Sequence, residues 1–227
     1  MTTQAQPDPE AGVQSAVPPS ELDPRTRNRL LSAAVQVFDR KGYDAASVRE
    51  IVELAGVTKP ALYYHFGSKE GVLLAILRDA QRQFEESMAR AIARPGTARE
   101  RMSAMCEELY GLFGLHVPVI RVAHWVALGP SDVAPSFDFT VFERSMAGAL
   151  KRIIEQGQAT GELRPGAPED IALAVMGVIS MLAGRQLHRQ QRPEPVGVES
   201  LRRVLALVFD GILKCGTDGQ AAGETRQ

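Results

Sequence analysis

This chain of 227 residues is poor in the groups that covalent or metal chemistry needs. It has two cysteines, Cys106 and Cys215, far apart and with no partner at ligand spacing, so neither a disulfide framework nor a zinc site is expected. Its histidines are equally scattered. His116 and His124 lie on either side of Pro118 without a third ligand nearby, so no metal is expected. There is no G-x-S-x-G elbow, no P-loop, no G-x-G-x-x-G after a strand and no H-E-x-x-H. The carboxylate pairs Glu85 and Glu86, and Glu107 and Glu108, fall on charged helical faces and read as solvated. An enzyme is therefore not expected, nor a cofactor. Long apolar runs are also missing. The nearest to one, from Ile171 to Gly184, is interrupted by Ser180 and falls short of the roughly 20 residues that cross a bilayer. The first residues carry neither a basic segment nor an apolar core, so no secretory leader and no membrane partner are expected. The expected location is the cytoplasm, with reduced thiols.

Strand-like alternation is also lacking; what is present is helical periodicity, on a chain whose 44% hydrophobic residues suffice for a core. Residues 1–21 are rich in Pro, Gln, Ala and Ser, with three acids and no base, and are expected to be disordered. From Pro24 the pattern changes. Leu30, Leu31, Ala34, Val35 and Phe38 follow helical spacing to a stop at Gly42. Ser47 and Glu50 form a capping box for a second helix of about two turns, with Val48, Ile51, Val52 and Leu54 as its apolar face. Gly56 ends that helix, and Thr58 caps a third one that carries Pro60 in its first turn. A long helix then runs from Lys69 to about Ala93. Further helices are expected over Ala98 to Leu115, Val119 to Leu128, Phe137 to Ala159, Pro168 to Gln190 and Val198 to Cys215. The fold class is all-α: a three-helix helix-turn-helix domain at 22–70, a larger helical regulatory domain at 71–216, and a disordered tail at 217–227.

Two short helices joined by a glycine turn form the pattern whose second helix enters the major groove of duplex DNA. On that second helix Leu62 and Phe66 share a face that is assigned, with Val57, to the core. Lys59, Tyr63, Tyr64 and His65 are left outward. Tyrosine offers a stiff ring for sugar or a thymine methyl and a hydroxyl for phosphate or a base edge. Lys69 opens the next helix and is positioned for a phosphate, and Arg49 can reach a guanine or a phosphate. Residues 22–72 hold eight basic and six acidic residues, too weak an excess for binding by bulk charge. Taken singly, each tyrosine could equally pack in a core or a dimer seam, and glycine-turn helical hairpins occur in proteins that never touch DNA.

The stretch "LLSAAVQVFDRKGYDAASVREIVELAGVTKPALYYHFGSKEGVLLAI" resembles the N-terminal DNA-binding domain of the TetR/AcrR family of bacterial transcriptional regulators. By position, the resemblance implies DNA contacts at Arg49, Thr58, Lys59, Ala61, Tyr63, Tyr64, His65 and Lys69. Ala61 is a departure, because family members place a longer polar side chain there. The resemblance further implies a C-terminal domain that binds a small effector and dimerises through its last two helices, and hence a ligand-responsive regulator, most simply a repressor released from a palindromic operator. The expected partners are double-stranded DNA, a second copy of the chain and an apolar or amphipathic small molecule.

In the regulatory part, the helix "EDIALAVMGVISMLAG", which contains Met176 and Ile179, is apolar on nearly every face. Leu201, Val204, Leu205, Val208 and Ile212 form a second stripe at helical spacing. Both fit a four-helix dimer seam, and both would also fit a large monomeric core. Met102, Cys106, Tyr110, Phe113, His124, Trp125, Phe142 and Met146 are the candidate ligand-lining set, since Met and aromatic side chains adapt to irregular apolar guests. The same residues would serve as plain core. A helical adaptor that binds another protein through the C-terminal stripe is the remaining alternative.

Overall fold

The computed structural model describes residues 23–128, 137–187 and 197–212, all helix and connecting turn. The predicted disorder at 1–21 and 217–227 and the ends of two predicted helices lie outside these residues. The helices in order are α1 Pro24–Ala45, α2 Val48–Ala55, α3 Lys59–Phe66, α4 Lys69–Ala93, α5 Ala98–Leu115, α6 Val117–Leu128, α7 Thr140–Ala159, α8 Pro168–Leu187 and α9 Val198–Ile212. They divide into two compact units, with the boundary after Ala75, inside α4.

The first unit is built by α1, α2, α3 and the first turns of α4. Asp23 caps α1 by accepting from the Thr26 N–H at 2.7 Å, and Pro24 stands where its missing donor is harmless. The regular helix breaks at Gly42, whose φ of 79° interrupts it, and the chain turns so that the Tyr43 ring packs 5.4 Å from Phe38. The core comprises Leu30, Ala34, Val37, Phe38, Ile51, Val52, Leu62 and Leu73, all buried. Leu54, placed by its sequence on the buried face of α2, is instead exposed; Ala55 takes the inward position. An eight-residue helix has room for only three inward side chains, here Ile51, Val52 and Ala55.

In the second unit α5, α7, α8 and α9 surround one apolar core of Met102, Met105, Leu109, Leu150, Ile153, Ile154, Val175, Ile179, Leu201, Leu205 and Phe209. α5 begins with a Thr97–Glu100 capping box and receives a second carboxylate, Glu162, on the N–H groups of Ala98 and Arg99 at 2.7 and 3.2 Å. That places negative charge against the positive end of the helix dipole. Arg202 of α9 is bidentate to Glu107 of α5, at 2.8 Å to each oxygen, and Arg99 pairs with Asp210 at 3.1 Å. These exposed pairs align α5 and α9 while apolar burial supplies the stability. No single described helix is long and apolar enough to cross a membrane.

Candidate nucleic-acid interface

The turn between α2 and α3 is fixed by backbone chemistry. Gly56 sits in the left-handed region at φ 63°, ψ 43°, and its N–H closes on the Glu53 and Val52 carbonyls as a helix C-cap. Val57 N–H then donates to Val52 O at 3.0 Å. Thr58 Oγ1 accepts from Ala61 N–H at 3.4 Å, so only Gly56, Val57 and Thr58 separate the end of α2 from the start of α3. At the other end of α2, Ser47 Oγ accepts from Glu50 N–H while Glu50 Oε2 accepts from Ser47 N–H at 3.0 Å. An ion pair with Lys41, together with the Ser47 bonds, holds the Glu50 carboxyl down at about 2.

α3 buries Ala61 and Leu62 completely, each at 0% exposure. One turn further on, His65 and Phe66 stand behind them half-buried, with the Arg27 guanidinium 5.7 Å from the Phe66 ring centre. Helical geometry therefore leaves residues 59, 63 and 64 on the open side. Lys59 is exposed, and Tyr63 and Tyr64 show 50% and 62% of their surface. The Tyr64 ring meets His65 edge-on at 5.2 Å, which steadies both side chains. Arg49 lies exposed on α2, with Nε 2.6 Å from Glu53. Thr58 is exposed at the start of α3.

Two of the expected contacts have other roles. Ala61, carried over as a DNA contact, has a fully buried methyl and offers no side-chain atom to a duplex. Lys69, expected on a phosphate, sends its ammonium inward, to Tyr43 O and Ala46 O at 2.9 Å each and toward Asp44 O at 3.5 Å, with the Tyr43 ring centre 4.3 Å away. Two of the three ammonium hydrogens are taken by the 2.9 Å contacts. Sequence reading also passed over Gly71 and Arg29. A Cβ on Gly71 would lie 1.9 Å from the Phe66 carbonyl oxygen, so only glycine lets α4 leave α3 at this angle. Arg29 Nη2 donates to the carbonyls of Ala55 and Gly56. Nothing in the spacing of Arg25, Arg27 and Arg29 singles out the last.

The sequence model of the bacterial regulatory proteins of the tetR family matches residues 30–76, which is this helix-turn-helix and its flanks. Residues 30–76 are a DNA-binding domain of the TetR-family type. The chain is a DNA-binding transcriptional regulator, with the adaptor alternative set aside. Regulators of this family bind duplex DNA as homodimers and respond to small-molecule effectors. Over long alignments the identity is about a quarter. The chain is 25% identical to the fatty acid metabolism regulator protein of Bacillus subtilis over 188 residues, covering 81% of this chain and 94% of that protein. It is 27% identical to the transcriptional repressor KstR2 of Mycolicibacterium smegmatis over 203 residues, covering 86% and 94%. The solved structure of the FadR regulator from Bacillus subtilis with stearoyl-CoA superposes with a TM-score of 0.66 at 22% identity, covering 82% of this chain and 98% of that one.

In the second unit the predicted ligand set is only partly gathered. Met102, Cys106, Tyr110 and Met146 are buried in one core, with Phe113 half-buried against it. Phe142 is half-buried and packs edge-on with Phe84 at 5.3 Å. Trp125 is half-buried on α6. His124 is exposed, because the inward positions of α6 fall at Val122 and Val126, and it lines no interior. Burial pushes the Cys106 thiol up to about 12, so it packs as an apolar group.

The predicted dimer residues are corrected more strongly. Ile179, Leu201 and Leu205 are buried in the protomer's own core, and Met176 and Val208 are half-buried. The Ile212 side chain lies outside the described residues. Leu173, Gly177 and Met181 on α8 face outward, as do Val204, Leu207 and Gly211 on α9. Leu173 and Met181 are each 68% exposed and Leu207 76%. A helix that is apolar all round has two apolar faces, and the residue list drawn from the sequence took mainly the inner one.

Proposed function

We propose that this chain is a homodimeric repressor whose α3 reads one half of an inverted-repeat operator through Lys59, Tyr63, Tyr64 and His65, with Arg49 and Thr58 on the flanking backbone. The exposed tyrosine pair on an otherwise well-packed helix is the observation that carries the reading. Large aromatic side chains left half open to water on a short rigid helix favour a partner surface. In this reading the domain limits are 22–70 for DNA binding and 71–216 for regulation and dimerisation, and the protein works in the cytoplasm without catalysing a reaction.

The second copy docks on the outward stripe of α8 and α9, where Leu173, Met181, Val204 and Leu207 alternate with Gly177 and Gly211. Small residues let two such helices approach closely while the larger ones interdigitate. The effector is an amphipathic molecule with a long apolar part, taken up where Met102, Cys106, Tyr110, Phe113 and Met146 converge. Unbranched Met side chains can move aside for such a guest. The fatty-acid association of the relative and the acyl-CoA in the solved structure make long-chain acyl thioesters the first molecules to try.

The test is fluorescence anisotropy on a duplex selected by the protein, titrated with palmitoyl-CoA and, as control, free CoA. Release by palmitoyl-CoA alone supports the reading. Equal effects of both, or none, would refute the apolar-effector part. Tyr63→Ala should weaken binding of the same duplex by about tenfold, on the scale of one stacking or base contact; undiminished affinity would remove α3 from the interface.

A further inference from the structure

We infer that the Ser87 hydroxyl is the buried hydrogen-bonding anchor of the effector site, reached along a ladder of four phenylalanine rings, and that it takes an uncharged hydroxyl or carbonyl oxygen carried on an aromatic or otherwise apolar body. The inference rests on the reading of the second unit as the effector-binding one, and adds to it the chemistry of the guest's buried end.

Ser87 lies on α4 with 0% exposure. Its Oγ has no hydrogen-bond partner among the described residues. A helical serine can return its hydroxyl to the carbonyl four residues earlier, and this one does not. An orphaned hydroxyl in an apolar interior gives up its bonds to water for nothing, which is why the large majority of buried hydroxyls in folded proteins are paired. Alanine would fill nearly the same volume without that penalty.

The surroundings of Ser87 are apolar. Helical spacing sets it on one face of α4 with Phe84, three residues before it, and Ala91, four after it. Ala91 belongs to the core that holds Met102, Cys106 and Tyr110. Phe84 meets Phe142 of α7 edge-on at 5.3 Å, while Arg90, three residues beyond Ser87, pairs with Glu108 of α5 at 3.2 Å from its Nε. Ser87 therefore stands between the contacts that hold α4 to α7 and to α5, on the face that meets the candidate ligand residues.

From Phe84 the rings lead outward. Phe142 lies 6.3 Å from Phe137, and Phe137 meets Phe139 at 4.9 Å, in the segment that leads into α7. All four rings are half-buried. Half of the chain's eight phenylalanines thus stand in one run that ends one helical turn from the orphaned hydroxyl. Aromatic faces left partly open to water suit a flat or chain-like apolar guest.

The buried charge of this unit lies elsewhere. Arg101, the one buried charged side chain among the described residues, has Nη1 2.7 Å from Gln156 Oε1 and Nη2 on the Ile92 carbonyl, at the end of α4 where a cation is favoured. Its Nε is also unpartnered among the described residues, but Ile92 is five residues beyond Ser87, about 7.5 Å along the helix. A carboxylate at Ser87 would be buried without a counter-charge. A neutral oxygen needs only the one donor that the hydroxyl supplies.

The experiment uses the full chain and two probes of nearly equal shape, 1-naphthalenemethanol and 1-ethylnaphthalene, which differ by a hydroxyl in place of a methyl. Their affinities for the parent, Ser87→Ala and Phe137→Ala are measured by calorimetric titration, and thermal midpoints are taken without probe. Anchoring predicts that Ser87→Ala weakens naphthalenemethanol by about three- to tenfold, the scale of one neutral hydrogen bond, and leaves ethylnaphthalene as tight or tighter. Phe137→Ala should weaken both probes alike. The unliganded Ser87→Ala midpoint should equal or exceed the parent's, because the change removes an unpaired group and almost no volume. An unchanged ratio of the two affinities in Ser87→Ala would overturn the anchor. So would a lowered midpoint, or failure of that variant to fold, since either would give the hydroxyl a structural role. Undiminished affinities in Phe137→Ala would remove the ladder from the site. A parent that binds neither probe removes the apolar effector site itself and the inference with it, which is seen before any variant is made; a parent that binds both while Ser87→Ala keeps their ratio leaves that site standing without its anchor.

Discussion

The two units of this chain hold their shape by different means. In the first, single polar atoms and bare backbone decide geometry: Lys69 on the Tyr43 and Ala46 carbonyls, Arg29 on those of Ala55 and Gly56, and Gly71 in van der Waals conflict with any Cβ. In the second, a broad apolar core of Leu, Ile, Val and Met does the work, and the ion pairs between α5 and α9 lie at the surface. Directional bonds tie particular residues to particular positions. Apolar burial asks only for volume and pattern. That difference fits the reach of the family model, which stops at residue 76, while a relative aligned over 188 residues shares a quarter of its residues over the whole alignment.

The largest expected effect breaks the first unit at its core. Leu62 is fully buried on α3, and Leu62→Ala should destabilise the protein by about 2 to 5 kcal/mol in chemical denaturation. A variant that unfolds with the parent would mean that α3 packs by another face. A glycine pair sharpens the contrast between units. Gly71→Ala forces a methyl onto the Phe66 carbonyl and should cost about 1 to 3 kcal/mol. Gly148→Ala, in mid-α7 with nothing within 4 Å of the added Cβ, should instead stabilise by about 0.5 to 1 kcal/mol. Two changes of the same sign would erase the distinction.

The smallest expected effect is a pH dependence confined to the first unit. The Lys41 ammonium and the Ser47 hydroxyl and N–H hold the Glu50 carboxyl at about 2, below its ordinary 4.5. A depressed carboxylate pKa contributes stability that is fully present above pH 4.5 and lost as pH falls toward 2. Glu50→Gln should therefore flatten the acid limb of stability in that window and leave the limb above pH 5 parallel to the parent's. An unchanged acid limb would show that the capping box carries no such linkage.

Legibility followed the same division. The stops at Gly42 and Gly56, the caps at Ser47 and Thr58 and the span of α4 were readable because each leaves a local mark in the sequence. Lys69 was read as a phosphate contact, and nothing local shows that carbonyls more than 20 residues earlier fold back to meet it. Ala61 was misplaced for a related reason: the resemblance supplied a position, whereas burial is decided by which side of α3 meets α1 and α2. In the second unit the helices were legible from periodicity. Which apolar face of α8 and α9 is inner was not, since both faces carry the same residue types and only the packed neighbours separate Ile179 and Leu205 from Met181 and Leu207.

The most direct test is selection of binding sites from a random duplex library with the purified full-length protein at two salt concentrations. A single inverted repeat, with half-sites spaced for two α3 helices related by a twofold axis, is the predicted result, and affinity should fall as salt rises. Folded protein that enriches no sequence at either salt would contradict sequence-specific recognition by α3.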